Sequence, residues 1–172
     1  ITSLSNSECK FSYRESIFKH ELKEFFFISS VTLRLTKKNH QVNHSYDALK
    51  LELGRSSITQ PTIHDVSRAV VSVRQSKLPD PGQIGNVGSF FKNPVITRSI
   101  AEKMKVEWPT IPIYPFENQL FKIPAGWLIE KCGWKGKIAG NVGVHHQQAL
   151  VIVNHANATG QEIFNLSEKI RG

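Results

Sequence analysis

Two prolines one residue apart, in Leu78-Pro79-Asp80-Pro81-Gly82, impose the hardest limit on this chain. Each lacks a backbone donor and drives the residue before it away from helical angles, so neither a helix nor an inner strand can run through 78–82. The chain must be built from short elements on either side of that break. Upstream, Thr62-x-x-Asp65 resembles a capping box, with Asp where Glu or Gln is usual. Ile63, Val66, Val70 and Val73 then follow at helical steps. A helix is expected from Thr62 to just before Leu78. Downstream, residues 82–94 are punctuated by Gly82, Gly85 and Gly88, a composition for turns and close backbone approach.

The remaining elements follow from the same local rules. Residues 24–36 read as the clearest strand: Phe25, Phe27, Val31, Leu33 and Leu35 share one parity, and Arg34 and Thr36 the other. Residues 37–45 are polar loop, residues 46–53 a short element, and residues 54–60 loop again. Thr97 suits the cap of a short helix through about Lys105. The proline-rich stretch 108–115 is extended, and 125–132 is a helix ended by Gly133. Strand-like runs occupy 141–145 and 149–153. Thr159-x-x-Glu162 is a capping box opening a helix with Ile163, Leu166 and Ile170 on one face. Strands and helices mix without βαβ alternation, which makes the class α+β, with mixed or antiparallel strands and flanking helices.

Composition narrows the partners. At 172 residues, with 40% hydrophobic and 21% charged, the chain can bury a core and has no disordered balance. The apolar runs Phe25–Ile28 and Ala149–Val153 fall far short of the roughly 20 residues of a membrane helix. No basic-then-apolar leader opens the residues given, and the first residue is Ile1, so a piece of a longer protein is expected. Twenty-two Lys and Arg against 14 Asp and Glu leave a net charge of +8, which favours an anionic partner. A nucleic-acid-binding module is one such reading. The positive residues are scattered, however, with the tightest clusters at 34–38 and 131–137, and no nucleic-acid motif accompanies them. Cys9 and Cys132 lack metal spacing and suit reduced thiols, and no metal is expected. His145-His146 reads as a structural pair whose side chains diverge along a strand.

The chemistry concentrates in Gly88-Ser89-Phe90-Phe91-Lys92-Asn93-Pro94. A glycine before a serine can expose the hydroxyl in a turn, and an ammonium, an amide and two aromatic walls lie within five residues. There is no GxSxG elbow, so a serine hydrolase is disfavoured. Read alone, Ser89 is more readily a turn residue than a catalyst. Three other segments stand out: Phe11-Ser12-Tyr13-Arg14-Glu15-Ser16-Ile17-Phe18-Lys19, Lys77-Leu78-Pro79-Asp80-Pro81 and Pro124-Ala125-Gly126-Trp127-Leu128-Ile129-Glu130.

Taken in this order, the four segments resemble the UDP-N-acetylenolpyruvoylglucosamine reductase family, over about residues 8–172. Ser45-Tyr46-Asp47-Ala48-Leu49 resembles the form of the family with a substrate-covering tyrosine loop. The resemblance implies a cytoplasmic flavoenzyme of peptidoglycan precursor synthesis, and so of cell-wall growth, shape and division. NADPH would reduce FAD, and the reduced flavin would pass hydride to UDP-N-acetylglucosamine enolpyruvate. Ser89 matches the family's proton donor, and Arg14 the arginine that stabilises charge on the intermediate's carboxylate. Lys77 and Asn93 match residues near the diphosphate, and Tyr46 the tyrosine that folds over it. Tyr114, Lys122 and Gln148 match residues on the nucleotide side, and Arg74 is a further active-site candidate. Without the resemblance, Lys122 and Arg74 are solvated charges, and Tyr46 and Tyr114 half-buried aromatics.

Two departures accompany it. Nothing before Cys9 supplies the family's N-terminal flavin region, and no residue here takes the place of its catalytic glutamate, since Glu162 and Glu168 lie within a helix. The expected organisation is residues 1–36 as the end of an FAD-binding domain, 37–60 as tyrosine loop and linker, and 61–172 as the substrate-binding domain. Such a fragment is expected to be inactive alone.

Overall fold

A computed structural model describes residues 2–172, which fall into two compact units, 2–41 and Val42–Gly172. The first has tight turns over 6–25. Ser12 and Glu15 exchange both backbone hydrogen bonds at 3.1 Å, so Tyr13-Arg14 forms a two-residue hairpin tip, with Arg14 in the left-handed region at φ 54°. The Lys19 ammonium donates to the Arg14 carbonyl at 2.7 Å and steadies that tip. A 3-10 turn covers Ile17–Lys19, anchored by the Ile17 N–H on the Cys9 carbonyl at 2.9 Å.

The strand expected over 24–36 does not form. Residues 26–36 carry no regular structure, and Phe25, Phe27, Val31, Leu33 and Leu35 are 73–92% exposed. A period-2 pattern is stable only when a neighbour completes its ladder and a layer covers its apolar face. Among the described residues nothing pairs with this segment.

The second unit opens with two helices, α1 (Asp47–Arg55) and α2 (Ile63–Lys77). Both halves of the Thr62/Asp65 capping box are present, and the bonds from Thr62 hold the Asp65 carboxyl below its ordinary range. Ala69 is buried with Val66, Val70 and Val73 beside it, whereas Ile63 is exposed, so the working stripe starts one turn later than the pattern suggests. Leu53 of α1 is buried, and Ser72 Oγ donates to Glu52 Oε1 at 2.6 Å, tying the helices together.

After the Pro79–Gly82 turn come β1 (Gly85–Ser89), β2 (Val95–Ile96), α3 (Arg98–Glu107), β3 (Tyr114–Pro115), β4 (Phe121–Lys122), α4 (Ala125–Lys131), β5 (Ile138–Ala139), β6 (Val142–Val144), β7 (Val151–Asn154) and α5 (Gly160–Arg171). They form two antiparallel sheets, of order β1-β7-β6-β5 and β2-β4-β3, giving an α+β architecture. Thr97 occupies the N-cap of α3 without a side-chain capping bond. At the end of α4, Gly133 takes φ 74°; its N–H bonds to Glu130 and that of Trp134 to Ile129, both at 3.0 Å. That is a Schellman stop, closed by packing of Trp134 in the Ile129 cluster.

The core lies where α4 and α5 cover the larger sheet. Ile129, Val144 and Ala149 form one cluster and Val142, Ile152 and Leu166 another, with Phe91, Trp134 and Ile170 shared between them. Ile163, Leu166 and Ile170 thus face the sheet as the Thr159/Glu162 capping box and spacing require. No helix of the described residues is long and apolar enough to cross a membrane.

Candidate functional site

Ser89 owes its setting to a bulge. On β1, Asn86 pairs with Val153, but Ser89 rather than Gly88 pairs with Val151. Three steps on β1 match two on β7, so Gly88 and Ser89 together oppose Val151. Gly88 sits at φ 65°, the left-handed conformation that the first residue of a G1 bulge requires. The extra residue reverses the strand's parity: Ser89 shares register with the Asn86/Val153 side, not with Val87. The ladder then resumes at Phe90, whose N–H bonds to the Leu150 carbonyl at 2.9 Å. Ser89 is exposed at the edge of the sheet, and Phe90 and Phe91 follow it edge to face, 5.5 Å between centroids.

Downstream, Asn93 and Gln148 reach the start of α4, and Lys122 and Tyr114 pair on the smaller sheet just before it in the chain. Asn93 Oδ1 accepts from the Ala125 N–H at 2.9 Å, capping a helix whose own N-cap residue, Pro124, has no side-chain acceptor. Gln148 reaches the same turn. A Cβ on Gly126 would lie 3.7 Å from Gln148 Oε1 and 3.4 Å from Leu150 Cγ, ordinary contact distances, so both side chains pack close to this turn. The turn carrying Gln148 closes through the Val151 N–H on the Gln148 carbonyl at 2.9 Å, and Val151 is the partner of Ser89. On the smaller sheet, Tyr114 and Val95 flank Lys122 in register, which puts Tyr114 and Lys122 on one face. The Lys122 ammonium stands 3.9 Å above the Phe116 ring.

Tyr46 and Lys77 form a second grouping. Tyr46 is the N-cap of α1, Lys77 the last residue of α2, and the ammonium lies 5.9 Å from the tyrosine ring centroid. Arg74 lies one turn before Lys77, exposed. Arg14 belongs to the first unit, at the hairpin tip already described.

His145 and His146 do not diverge. The strand β6 ends at Val144, so alternation no longer applies, and the two rings lie 4.5 Å apart. His145 is buried, and its Nδ1 accepts from the Gln148 N–H at 3.3 Å. Burial first, then the neighbouring His146, pushes its pKa below the ordinary histidine value. Sequence reasoning missed three residues here: His145 as a support of the Gln148 turn, Phe116 under Lys122, and Asn86 at the bulge. For Asn86 a signal existed, since Asn two residues before Gly is an Asx-turn pattern. The other two have none, because their roles depend on partners brought together by folding.

The basic cluster 131–137 is engaged locally. Lys131 and Lys137 lie 5.4 and 4.5 Å from the rings of Trp127 and Trp134, and Lys135 pairs with Glu130 at 2.9 Å. For a flavin, the first unit offers turns and an uncovered apolar segment. Three fused rings and a pyrophosphate need walls and convergent donors, so residues 2–41 by themselves do not fit that group.

Residues 80–172 match the family model described as UDP-N-acetylenolpyruvoylglucosamine reductase, C-terminal domain. The chain is similar to curated proteins named UDP-N-acetylenolpyruvoylglucosamine reductase. It is 52% identical to that of Flavobacterium johnsoniae over 169 residues, covering 98% of this chain and 50% of the relative. Identity to the Chromobacterium violaceum protein is 45% over 169 residues, covering 98% and 49%. To that of Bacteroides fragilis it is 41% over 165 residues, covering 96% and 49%. The chain spans about half the length of the curated relatives it matches.

Proposed function

Because the chain belongs to the UDP-N-acetylenolpyruvoylglucosamine reductase family, through that family's C-terminal domain, we propose that it supplies the substrate side of such a reductase, acting on UDP-N-acetylglucosamine enolpyruvate in peptidoglycan precursor synthesis. The observation that supports this best is that the family match over 80–172 takes in Ser89, Asn93, Tyr114, Lys122 and Gln148 together. Residues 1–36 are read as the end of a flavin domain, 37–60 as the tyrosine loop and linker, and 61–172 as the substrate domain. FAD and NADPH are the proposed cofactors, with the main flavin site in the other half of the relatives' length.

The chain's own residues handle charge and protons. Addition of hydride to one carbon of the enolpyruvyl double bond leaves an enolate-like anion delocalised into the substrate's carboxylate. Arg14, a planar guanidinium, suits those two oxygens. Ser89 Oγ donates its proton to the remaining carbon; a hydroxyl is a weak acid, but the enolate is a strong base. Tyr46 and Lys77 close over the diphosphate, the ammonium supplying charge and the ring a cover. Arg74 adds positive charge beside them. Asn93 presents its amide N–H groups to the diphosphate while its oxygen holds α4. Tyr114, Lys122 and Gln148 bind the nucleotide end.

Ser89→Ala in the full-length protein should leave flavin reduction by NADPH intact and slow the substrate half-reaction by about 10²- to 10⁴-fold. Equal losses in both halves by stopped-flow would overturn the proton-donor role. The chain by itself should bind the UDP-sugar weakly and show no NADPH turnover.

A further inference from the structure

We propose that Asn86 is the positioning residue for Ser89. The inference rests on the reading of Ser89 as proton donor and adds the device that sets its place. Asn86 is half-buried on β1, three residues before the serine. Its Oδ1 accepts from the Gly88 N–H at 3.0 Å, and its Nδ2 donates to the Ile84 carbonyl at 3.4 Å. The first bond is an Asx turn, which satisfies a donor that the bulge removes from the ladder. The second fastens the same side chain to the backbone before the strand.

The register makes this consequential. Asn86 is the last residue in regular pairing, with Val153, and Ser89 is the next partner, opposite Val151. Between them the chain must insert one residue and turn Gly88 to φ 65°. Glycine permits that angle but also many others. The Asn86 amide selects it, because its oxygen meets the Gly88 N–H only when the chain folds back over two residues. Without that bond, Val87 and Gly88 can return to regular alternation, which turns Ser89 to the opposite face. No substrate contact is assigned to Asn86; it acts through the backbone.

The test uses the full-length flavoenzyme and four proteins: wild type, Ser89→Ala, Asn86→Ala and Asn86→Asp. The aspartate keeps an acceptor for Gly88 and loses the donor to Ile84. Asn86→Ala should leave flavin reduction by NADPH unchanged and slow the substrate half-reaction about 10- to 100-fold, the loss expected from a misplaced group. Asn86→Asp should recover most of that rate. Amide hydrogen exchange supplies a readout independent of turnover: Gly88 should be protected in wild type and Asn86→Asp, and exchange at least about tenfold faster in Asn86→Ala. A normal substrate half-reaction in Asn86→Ala, beside a blocked Ser89→Ala, overturns the positioning role and leaves the proton-donor reading standing. An undiminished Ser89→Ala overturns the proton-donor reading and, with it, the catalytic purpose given to Asn86. If Asn86→Ala does not fold, the remaining proteins decide. An unprotected Gly88 amide in wild type, or an Asn86→Asp protein as slow as Ser89→Ala, overturns the proposal.

Discussion

Asn93 caps a helix and is proposed to bind the diphosphate, and substitution can separate the two. Its oxygen caps Ala125 from 32 residues upstream, in a part-buried bond of 2.9 Å. Its amide N–H groups are the proposed contact to the diphosphate. Asn93→Ala removes the acceptor and leaves a helix N-terminal N–H without its partner. Losing a capping side chain costs about 0.5–2 kcal/mol, and the part-buried setting points to about 1–2 kcal/mol here. At the length of the relatives, about twice that of this chain, that corresponds to a fall in Tm of about 1–3 °C. Asn93→Asp keeps an acceptor at the same place, and its charge suits a helix N-terminus, so its stability should stay within about 0.5 kcal/mol of wild type. In the proposed site the same carboxylate would face the diphosphate. Repulsion of at least about 1.4 kcal/mol would weaken UDP-sugar binding tenfold or more. Thermal melts and calorimetric titration of the full-length protein read the two effects apart. An unchanged Tm in Asn93→Ala would refute the cap as a source of stability. Unchanged affinity in Asn93→Asp would refute the diphosphate contact.

Three further outcomes follow from the geometry. In Gly143→Ala, a Cβ would sit 2.9 Å from His155 Nε2 and 3.0 Å from the Lys137 carbonyl. One of those neighbours is backbone, so urea unfolding should show a loss of about 1–3 kcal/mol. Thr159→Ala removes one half of the α5 capping box and should cost about 1 kcal/mol by the same measurement, while Thr159→Ser should restore it. His145 has its pKa depressed in the folded protein, so below its ordinary value the unfolded chain binds more protons than the native one. Stability should therefore be fully present above about pH 6.5 and decline as pH falls through the folded pKa. His145→Gln should flatten that part of a stability-versus-pH curve; an unchanged slope would assign it to other groups.

The elements legible beforehand are those whose instructions lie within a few residues. Both capping boxes form as spaced, Gly133 stops α4, and Ile163, Leu166 and Ile170 face the core. The strands are less legible. The strongest period-2 pattern, over 24–36, has no ladder, while the glycine-rich 85–89 is β1. Strands β2 to β5 are two residues each, too short for any pattern. Their pairing is settled by the neighbour that arrives, as Lys122 shows between Val95 and Tyr114.

What the sequence determined by itself is local chemistry: where helices begin and end, where the chain must break at Pro79 and Pro81, and which residue types stand ready around Ser89. Only the tertiary structure decided that Ser89 pairs with Val151 across a bulge, that Asn93 holds the start of α4, and that Lys77 meets Tyr46. The reason is energetic. A capping bond or a proline's missing donor acts on the chain wherever it goes, whereas a ladder bond or a distant cap has no energy until the other segment is in place.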